Sequence, residues 1–479
     1  MSTLESLKPK NVFKYFEEIS AIPRGSGNMN LISDYCEGFA KANNLKHVRD
    51  TANNIIIYKP ASKDCKNKEP IILQGHLDMV CQKNDGCDID FSKDGIKLLV
   101  KGDFITAKGT TLGADNGIAV AMILAILADK EISHPPIEAV FTTDEEIGMI
   151  GAGKLDMKLL SSKRMINLDS EEDDVMTVSC AGGSDFRVSF DIDKKSVQGK
   201  RISVILKGLQ GGHSGVEINK GRVNANILAG RFLNYMKNNT CFDIISVNGG
   251  DKANAIPNKC VIDISTSQVD DFVNKATYYL NLIKNEIYAR EENFSFDIKV
   301  YEEGEYKVLT QNLRNNIIYT LLTTPNGVMY MSAEIEGLVE TSLNLGILET
   351  QEEKIIIHYA LRSNKQTALD FLEDKLKGFF AAMPCNTEVF GHYPPWEFKP
   401  DSKLQELYKQ LYLEHYGFPV KAEAIHAGLE CSVFASSIKG IDCIAIGPSM
   451  WNVHTTLEKL SISSTEKLFG LILKLLKNL

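Results

Sequence analysis

The sequence has no apolar run long enough to cross a bilayer. Its strongest, GIAVAMILAILA (Gly117–Ala128), falls well short of the ~20 residues a spanning helix needs and reads as a buried helix instead. The opening stretch MSTLESLKPKNVFKYFEEIS intersperses acids and lysines among its apolar residues and lacks the uninterrupted apolar core of a secretory signal. Positive charge is in deficit, because 53 Lys+Arg against 62 Asp+Glu leave a formal net charge of −9. Phosphate backbones and anionic lipid surfaces therefore exert no attraction, and neither nucleic acid nor membrane is an expected partner. The ten cysteines include no C-x-x-C pair, and the closest two, Cys81 and Cys87, are separated by five residues. They read as packing residues of a reduced, cytoplasmic protein. The glycine-broken segment GTTLGADNG (Gly109–Gly117) contains neither G-x-G-x-x-G nor G-x-x-x-x-G-K-[ST], and no G-x-S-x-G occurs. Dinucleotide binding, P-loop chemistry and a serine-hydrolase elbow are unsupported.

What is present is an ordinary globular composition, 44% apolar and 24% charged, on a chain of 479 residues. That length exceeds what one hydrophobic core usually organises. Short apolar runs alternate with helical periodicity early in the chain: Asn54–Tyr58, Pro70–Gly75, Ile137–Thr142 and Met165–Leu168 read as strands, with the Gly117–Ala128 helix among them. Such alternation predicts α/β layers with a mostly parallel central sheet flanked by helices. After Asp169 the strands become longer and alternate apolar with polar residues, as in Phe186–Ile192 and Arg201–Leu206, which predicts an α+β module with one wet sheet face. Gly391–Pro400, dense in proline, marks the return to the first texture. The expected organisation is an α/β domain from residues 1–185 and 390–479, with an inserted α+β domain over 186–389.

Polar residues able to bind metal follow the apolar strands at separate places. Pro70–Gly75 leads into His76 and Asp78, Ile137–Thr143 into Asp144, Glu145 and Glu146, Met165–Leu168 into Asp169, and Ile441–Gly447 into the loop bearing His454. In an open α/β sheet the carboxyl ends of the strands form one edge where ligands bind. Asp115 joins this group because it lies just ahead of the long apolar helix, near that helix's positive end. Two histidines and several carboxylates without cysteine make a nitrogen and oxygen donor set of the hydrolytic kind. Adjacent Glu145 and Glu146 project in opposite directions from an extended chain, so that one can hold metal while the other serves as a general base. Asp78, two residues from His76, can hold the imidazole nitrogen that faces away from the metal. His426, in IHAGLECSVF (Ile425–Phe434), is a further pocket candidate because it precedes a turn and a helix.

Six segments then carry a resemblance: IILQGHLDMV (Ile71–Val80), GTTLGADNGIA (Gly109–Ala119), TTDEEIGMIGA (Thr142–Ala152), INLDSEE (Ile166–Glu172), GGHSGVEI (Gly211–Ile218) and WNVHTTLEKLS (Trp451–Ser461). Together they resemble the dinuclear zinc aminopeptidase and carboxypeptidase-like clan, and within it most of all the bacterial dipeptidases that act on aminoacyl-histidine substrates. The resemblance runs over nearly the whole chain, including FEEISAIPRGSGN (Phe16–Asn28). It implies two Zn2+ ions, Mn2+ or Co2+ being chemically acceptable to the same donors, with Asp115 bridging them. His76 and Asp169 would complete one site and Glu146 and His454 the other, with Glu145 as general base and Asp78 behind His76. It implies that the inserted domain acts as a lid, with His213 polarising the scissile carbonyl and Asn254 and Arg362 contacting substrate. A guanidinium at the position of Arg362 can also grip a free carboxylate with two parallel hydrogen bonds. The expected activity is metal-dependent hydrolysis of the peptide bond of dipeptides with a free C-terminal carboxylate, Xaa-His and related dipeptides, by a monomer or homodimer. The alternatives are deacylation of N-acyl amino acids, carboxypeptidase action on short peptides, or a metal-stabilised scaffold without catalysis.

Overall fold

A computed structural model describes residues 3–479. The chain packs as two compact units, one comprising the segment up to Cys180 together with Trp396–Ala424 and Leu429–Leu479, the other Ala181–Pro395 and Ile425–Gly428. Sequence texture puts the breaks at 185/186 and 389/390, whereas the chain changes unit at 180/181 and 395/396. The reason lies in pairing: Gly182–Asp191 and Asn386–Tyr393 are neighbouring antiparallel strands and so belong to the same unit. Ile425–Gly428 joins them because the Ala181 N–H donates to the carbonyls of Ile425 and Ala427, each at 3.1 Å.

The first unit is built on an eight-stranded sheet. Its order across the sheet is Lys46–Arg49, Ile55–Lys59, Ile137–Thr142, Ile71–His76, Arg164–Asn167, Asp442–Ala445, Val175–Cys180 and Lys421–Ile425. The four inner strands, from Ile137–Thr142 to Asp442–Ala445, are parallel. Antiparallel neighbours flank them on both sides. This is the expected mostly parallel centre, with parallel pairing confined to strands that need both faces covered. Ile71–His76 and Ile137–Thr142 are buried along their whole length. The apolar helix, observed at Ala114–Ala128, packs on the Ile71–His76 strand and on the helix Lys10–Ser20. A small four-stranded sheet of Leu98–Lys101, Phe104–Ala107, Met450–Trp451 and Lys459–Ser461 also belongs here. Its strands span two to four residues, too short for periodicity to reveal.

The second unit carries a nine-stranded antiparallel sheet. Four helices, Ala225–Asn239, Val269–Ile287, Gln311–Thr323 and Gln366–Phe380, supply much of a core that includes Phe186, Phe190, Phe232, Phe272, Tyr359 and Phe380. Alternating burial along Lys354–Ser363 is the period-two pattern of a sheet with one covered face. The first of these helices begins at Ala225, where the Asn224 side chain accepts from the N–H groups of Asn226 and Ile227. Among the described residues no helix is long and apolar enough to cross a membrane.

Gly447 tests the convergence of strand ends in the first unit. A Cβ at that position would meet the backbone oxygen of Ser170 at 1.6 Å, and a backbone atom cannot swing aside as a side chain can. Gly447→Ala is expected to lower stability by about 1–3 kcal/mol, read from the urea unfolding midpoint. An unshifted midpoint would contradict this packing.

Candidate metal centre

Parallel strands in register end on one edge, and here the register pairs His76 with Thr142, Gln74 with Asn167, and Ala445 with Asn167. The residues just beyond those ends, Glu145, Glu146, Asp169 and the segment leading to His454, therefore emerge together. Asp115 enters from the opening of the Ala114–Ala128 helix, where Gly113 has φ +69°. Asp115 and Asn116 themselves have non-helical φ/ψ, and the peptide bond between them is cis.

The donors meet at short range. His76 Nε2 lies 3.1 Å from Asp115 Oδ1 and 3.5 Å from Asp169 Oδ1. His454 Nε2 lies 3.0 Å from Asp115 Oδ2 and 3.0 Å from Glu146 Oε2. The two oxygens of Asp115 thus face different imidazoles, each accompanied by a further carboxylate. Donors bonded at about 2.0–2.1 Å around a tetrahedral ion stand roughly 3.3 Å from one another, and these separations match. His76, Asp115 and Glu146 each offer an atom within 4.8 Å of the others. The residues fit divalent cations held by nitrogen and oxygen.

The carboxylates and imidazoles of the cluster shift one another's proton affinities. Burial opposes charge on His76, but Asp169 and Asp115 outweigh it and lift the imidazole well above its usual value. Hydrogen bonds to Asp115 and Glu146 push His454 up to about 11. Burial works against ionisation of Asp115, yet His454 and His76 hold it well below the usual carboxylate range. Burial raises Glu145, Glu146 and Asp169, and for Glu145 the neighbouring Asp169 and Glu146 add to the effect.

Asp78 is fully buried and does more than stand behind His76. Its Oδ1 accepts the Glu145 N–H at 3.0 Å, and its Oδ2 accepts the Glu146 N–H at 3.2 Å and the Ser26 hydroxyl at 2.8 Å. The Nδ1 of His76 is 3.1 Å from the Asp78 backbone carbonyl and 3.4 Å from its carboxylate. With the proton on Nδ1 directed at that carbonyl, Nε2 keeps its lone pair for a metal.

Three supporting residues escape a reading of the sequence. Glu458 accepts from the backbone N–H groups of Leu112, Gly113, Ala114 and Asp115 at 2.7–3.4 Å, which ties the His454 loop to the Asp115 turn. Asn116 donates to Asp169 Oδ1 at 2.7 Å and accepts the His76 N–H at 3.2 Å. Arg24, fully buried, donates to the carbonyls of Leu77 and Asp78 at 3.0 Å and to that of Gly113. The only advance signals were their places inside the quoted motifs, four residues after His454, one after Asp115, and in the break PRGSGN.

The chain is similar to known proteins over its whole length. The family description peptidase family M20/M25/M40 matches residues 72–478. The chain belongs to this family. It is therefore a metallopeptidase. The cytosol non-specific dipeptidase of Escherichia coli (strain K12) is 35% identical over 483 residues, covering 100% of this chain and 99% of that protein. The crystal structure of aminoacylhistidine dipeptidase from Vibrio alginolyticus is similar with a TM-score of 0.89 and 35% identity, covering 99% of this chain and 98% of the other. The aminopeptidase PepT of Bacillus cereus ATCC 10987, at 17% identity and a TM-score of 0.57 over 98% of both chains, shares the fold.

In the second unit of this M20 peptidase, His213 Nδ1 accepts the N–H groups of Gly215 and Val216, both at 3.2 Å. Its proton is thereby placed on Nε2. Burial and then Arg362 keep His213 below its usual value, hence neutral. Asn254, one residue before the partner of His213 in a two-stranded sheet, offers its carbonyl to the Ser214 N–H at 2.9 Å. Arg362 Nη1 donates to the Tyr393 hydroxyl at 2.8 Å, while its buried Nε has no hydrogen-bond partner. His426 is held between Ser342 Oγ at 2.7 Å and Asn364 Oδ1 at 3.2 Å. Burial, with Arg362 and His213 nearby, pushes His426 down to about 3. His213, Arg362 and His426 sit within electrostatic reach of one another.

Cations entering the first unit must displace the protons on His76 and His454. Zinc affinity is expected to rise with pH by about tenfold per unit for each proton displaced, measured by competition with a chelator. A flat profile from about pH 6 to 9 would contradict it. In the metal-free protein, His454 contributes stability that is complete below its unfolded value of about 6.5 and lost as pH climbs through about 11. Thermal unfolding of that form should fall over the same window.

Proposed function

We propose that this chain is a dipeptidase, cleaving the peptide bond of dipeptides with a free C-terminal carboxylate, Xaa-His among them. The observation that carries the reading is the Asp115 carboxylate, with one oxygen 3.1 Å from His76 and the other 3.0 Å from His454. That arrangement favours two cations over one, His76 and Asp169 serving one and Glu146 and His454 the other. The donor set suits zinc and accepts manganese or cobalt. When bound, such a pair lowers the pKa of a water between them and polarises the scissile carbonyl.

The remaining steps fall to the chain. Glu145, on the turn that Asp78 anchors through the Glu145 and Glu146 N–H groups, takes the proton of the attacking water and returns it to the leaving amine. Its carboxyl, raised by burial, is a stronger base than an exposed glutamate. His213, with its proton on Nε2, is the proposed donor to the carbonyl oxygen as negative charge develops there. Arg362, with an unused Nε, is the proposed partner of the substrate carboxylate, and Asn254 and His426 the further substrate contacts. Small peptides are the proposed partners, and the cytosol, named for the Escherichia coli relative, the proposed compartment.

Glu145→Ala is expected to retain its metal, by elemental analysis, and to lose turnover by about 10²–10⁴-fold. Retained turnover would discard the base assignment. A panel of dipeptides, N-acetyl amino acids and longer peptides on the zinc-loaded protein should show dipeptides preferred. Preference for acetyl-amino acids or for longer peptides would replace dipeptidase action with deacylase or carboxypeptidase action at the same site.

A further inference from the structure

Below the ends of the ligand-bearing strands lies a chain of polar side chains shut off from solvent. Gln74, Thr142, Asn167 and Glu430 are each 0% exposed. The Thr142 hydroxyl donates to Glu430 Oε2 at 2.6 Å. Gln74 Nε2 donates to the same oxygen and to Thr142 Oγ1 at 3.1 Å. Asn167 Nδ2 donates to Gln74 Oε1 at 2.5 Å, and Asn167 Oδ1 accepts the Asp169 N–H at 3.2 Å. Gln74 stands two residues before His76, Asn167 two before Asp169, and Thr142 four before Glu146. Two parallel strands thus meet on one carboxyl, supplied from a position 288 residues beyond Thr142, and a third is joined to it through Gln74.

The other oxygen, Glu430 Oε1, is buried and has no hydrogen-bond partner among the described residues. An ionised carboxylate would leave that oxygen charged and without a donor, which an enclosed site disfavours. Burial pushes the carboxyl up to about 8, His76 opposing and Asp169 adding.

We propose that Glu430 is a positioning residue for the metal centre, its carboxyl setting the spacing of the strand ends that carry His76, Glu146 and Asp169. It acts through Gln74, Thr142 and Asn167, and the proposal rests on reading the donor cluster as a metal site. Neighbours that orient metal ligands typically contribute about 10–100-fold in affinity.

The test is zinc affinity of the full-length protein by chelator competition, with circular dichroism and thermal unfolding of the metal-free form alongside. Glu430→Leu, which removes the shared acceptor, is expected to weaken zinc binding about 10–100-fold while far-UV dichroism stays unchanged. Glu430→Gln, whose amide oxygen can accept the same two bonds without charge, should restore affinity to near the wild-type value. Thr142→Val should weaken binding less than Glu430→Leu and add nothing on top of it, the non-additivity expected of one network and not of general destabilisation. A folded Glu430→Leu protein with wild-type zinc affinity overturns the proposal, as does Glu430→Gln binding as poorly as Glu430→Leu. Should Glu430→Leu fail to fold, Thr142→Val decides, and wild-type affinity there overturns it. A wild-type protein that binds no zinc would instead overturn the metal-centre reading, and this proposal with it.

Discussion

Asp115 must place one carboxylate between two imidazoles, in a pocket that Glu145, Glu146 and Asp169 also enter. Like charges this close in a partly enclosed site repel strongly, and only protons or cations relieve them. In the metal-free protein the relief comes from His76 and His454, both held protonated by the carboxylates they touch. Divalent cations would take over that role with more charge and a preferred geometry. Most of the first unit's irregular features follow from the need to hold this cluster open to a ligand and closed to rearrangement.

The supporting residues show how that is done. Each of them fastens two ligand-bearing segments to one another. Asp78 joins the His76 strand to the Glu145–Glu146 turn, Asn116 joins the Asp115 turn to Asp169 and to the His76 backbone, and Glu458 joins the His454 loop to the Asp115 turn. Arg24 reaches carbonyls on both the His76 and the Asp115 segments. These bonds are buried or part-buried, where hydrogen bonds to charged groups are stronger than in water. A site assembled from positions 76 to 454 is therefore held by cross-ties rather than by any single element.

The second unit follows a different electrostatic rule. Two of its histidines are held below their usual value: His213 by burial and Arg362, His426 by burial, Arg362 and His213. A neutral imidazole with a fixed tautomer donates a directed hydrogen bond and adds no charge. The two units thus separate roles by protonation state, acidic and cation-seeking in one, neutral donors around a single guanidinium in the other.

Much of this was legible in the residues. Strand and helix alternation foretold the parallel centre, and the positions of His76, Glu145, Glu146 and Asp169 just past apolar runs placed them on one sheet edge, because parallel strands in register end together. The Gly-broken turn before an apolar helix marked Asp115 for the same place. What stayed hidden depended on contacts between segments far apart in the chain. Glu458 in HTTLE and Glu430 in HAGLE read as ordinary acids until their oxygens meet backbone N–H groups and buried hydroxyls hundreds of residues away. Val339–Thr350, with Ser342 and Asn344 among its apolar residues, becomes a strand through antiparallel partners, Lys354–Ser363 along most of its length and Gly327–Met331 on part of it. Local pattern determined which segments form strands and what chemistry follows them. Tertiary structure alone decided which carboxylates gather at His76 and His454 and which brace the frame, because a carboxylate's role is set by the partners that surround it rather than by its neighbours in sequence.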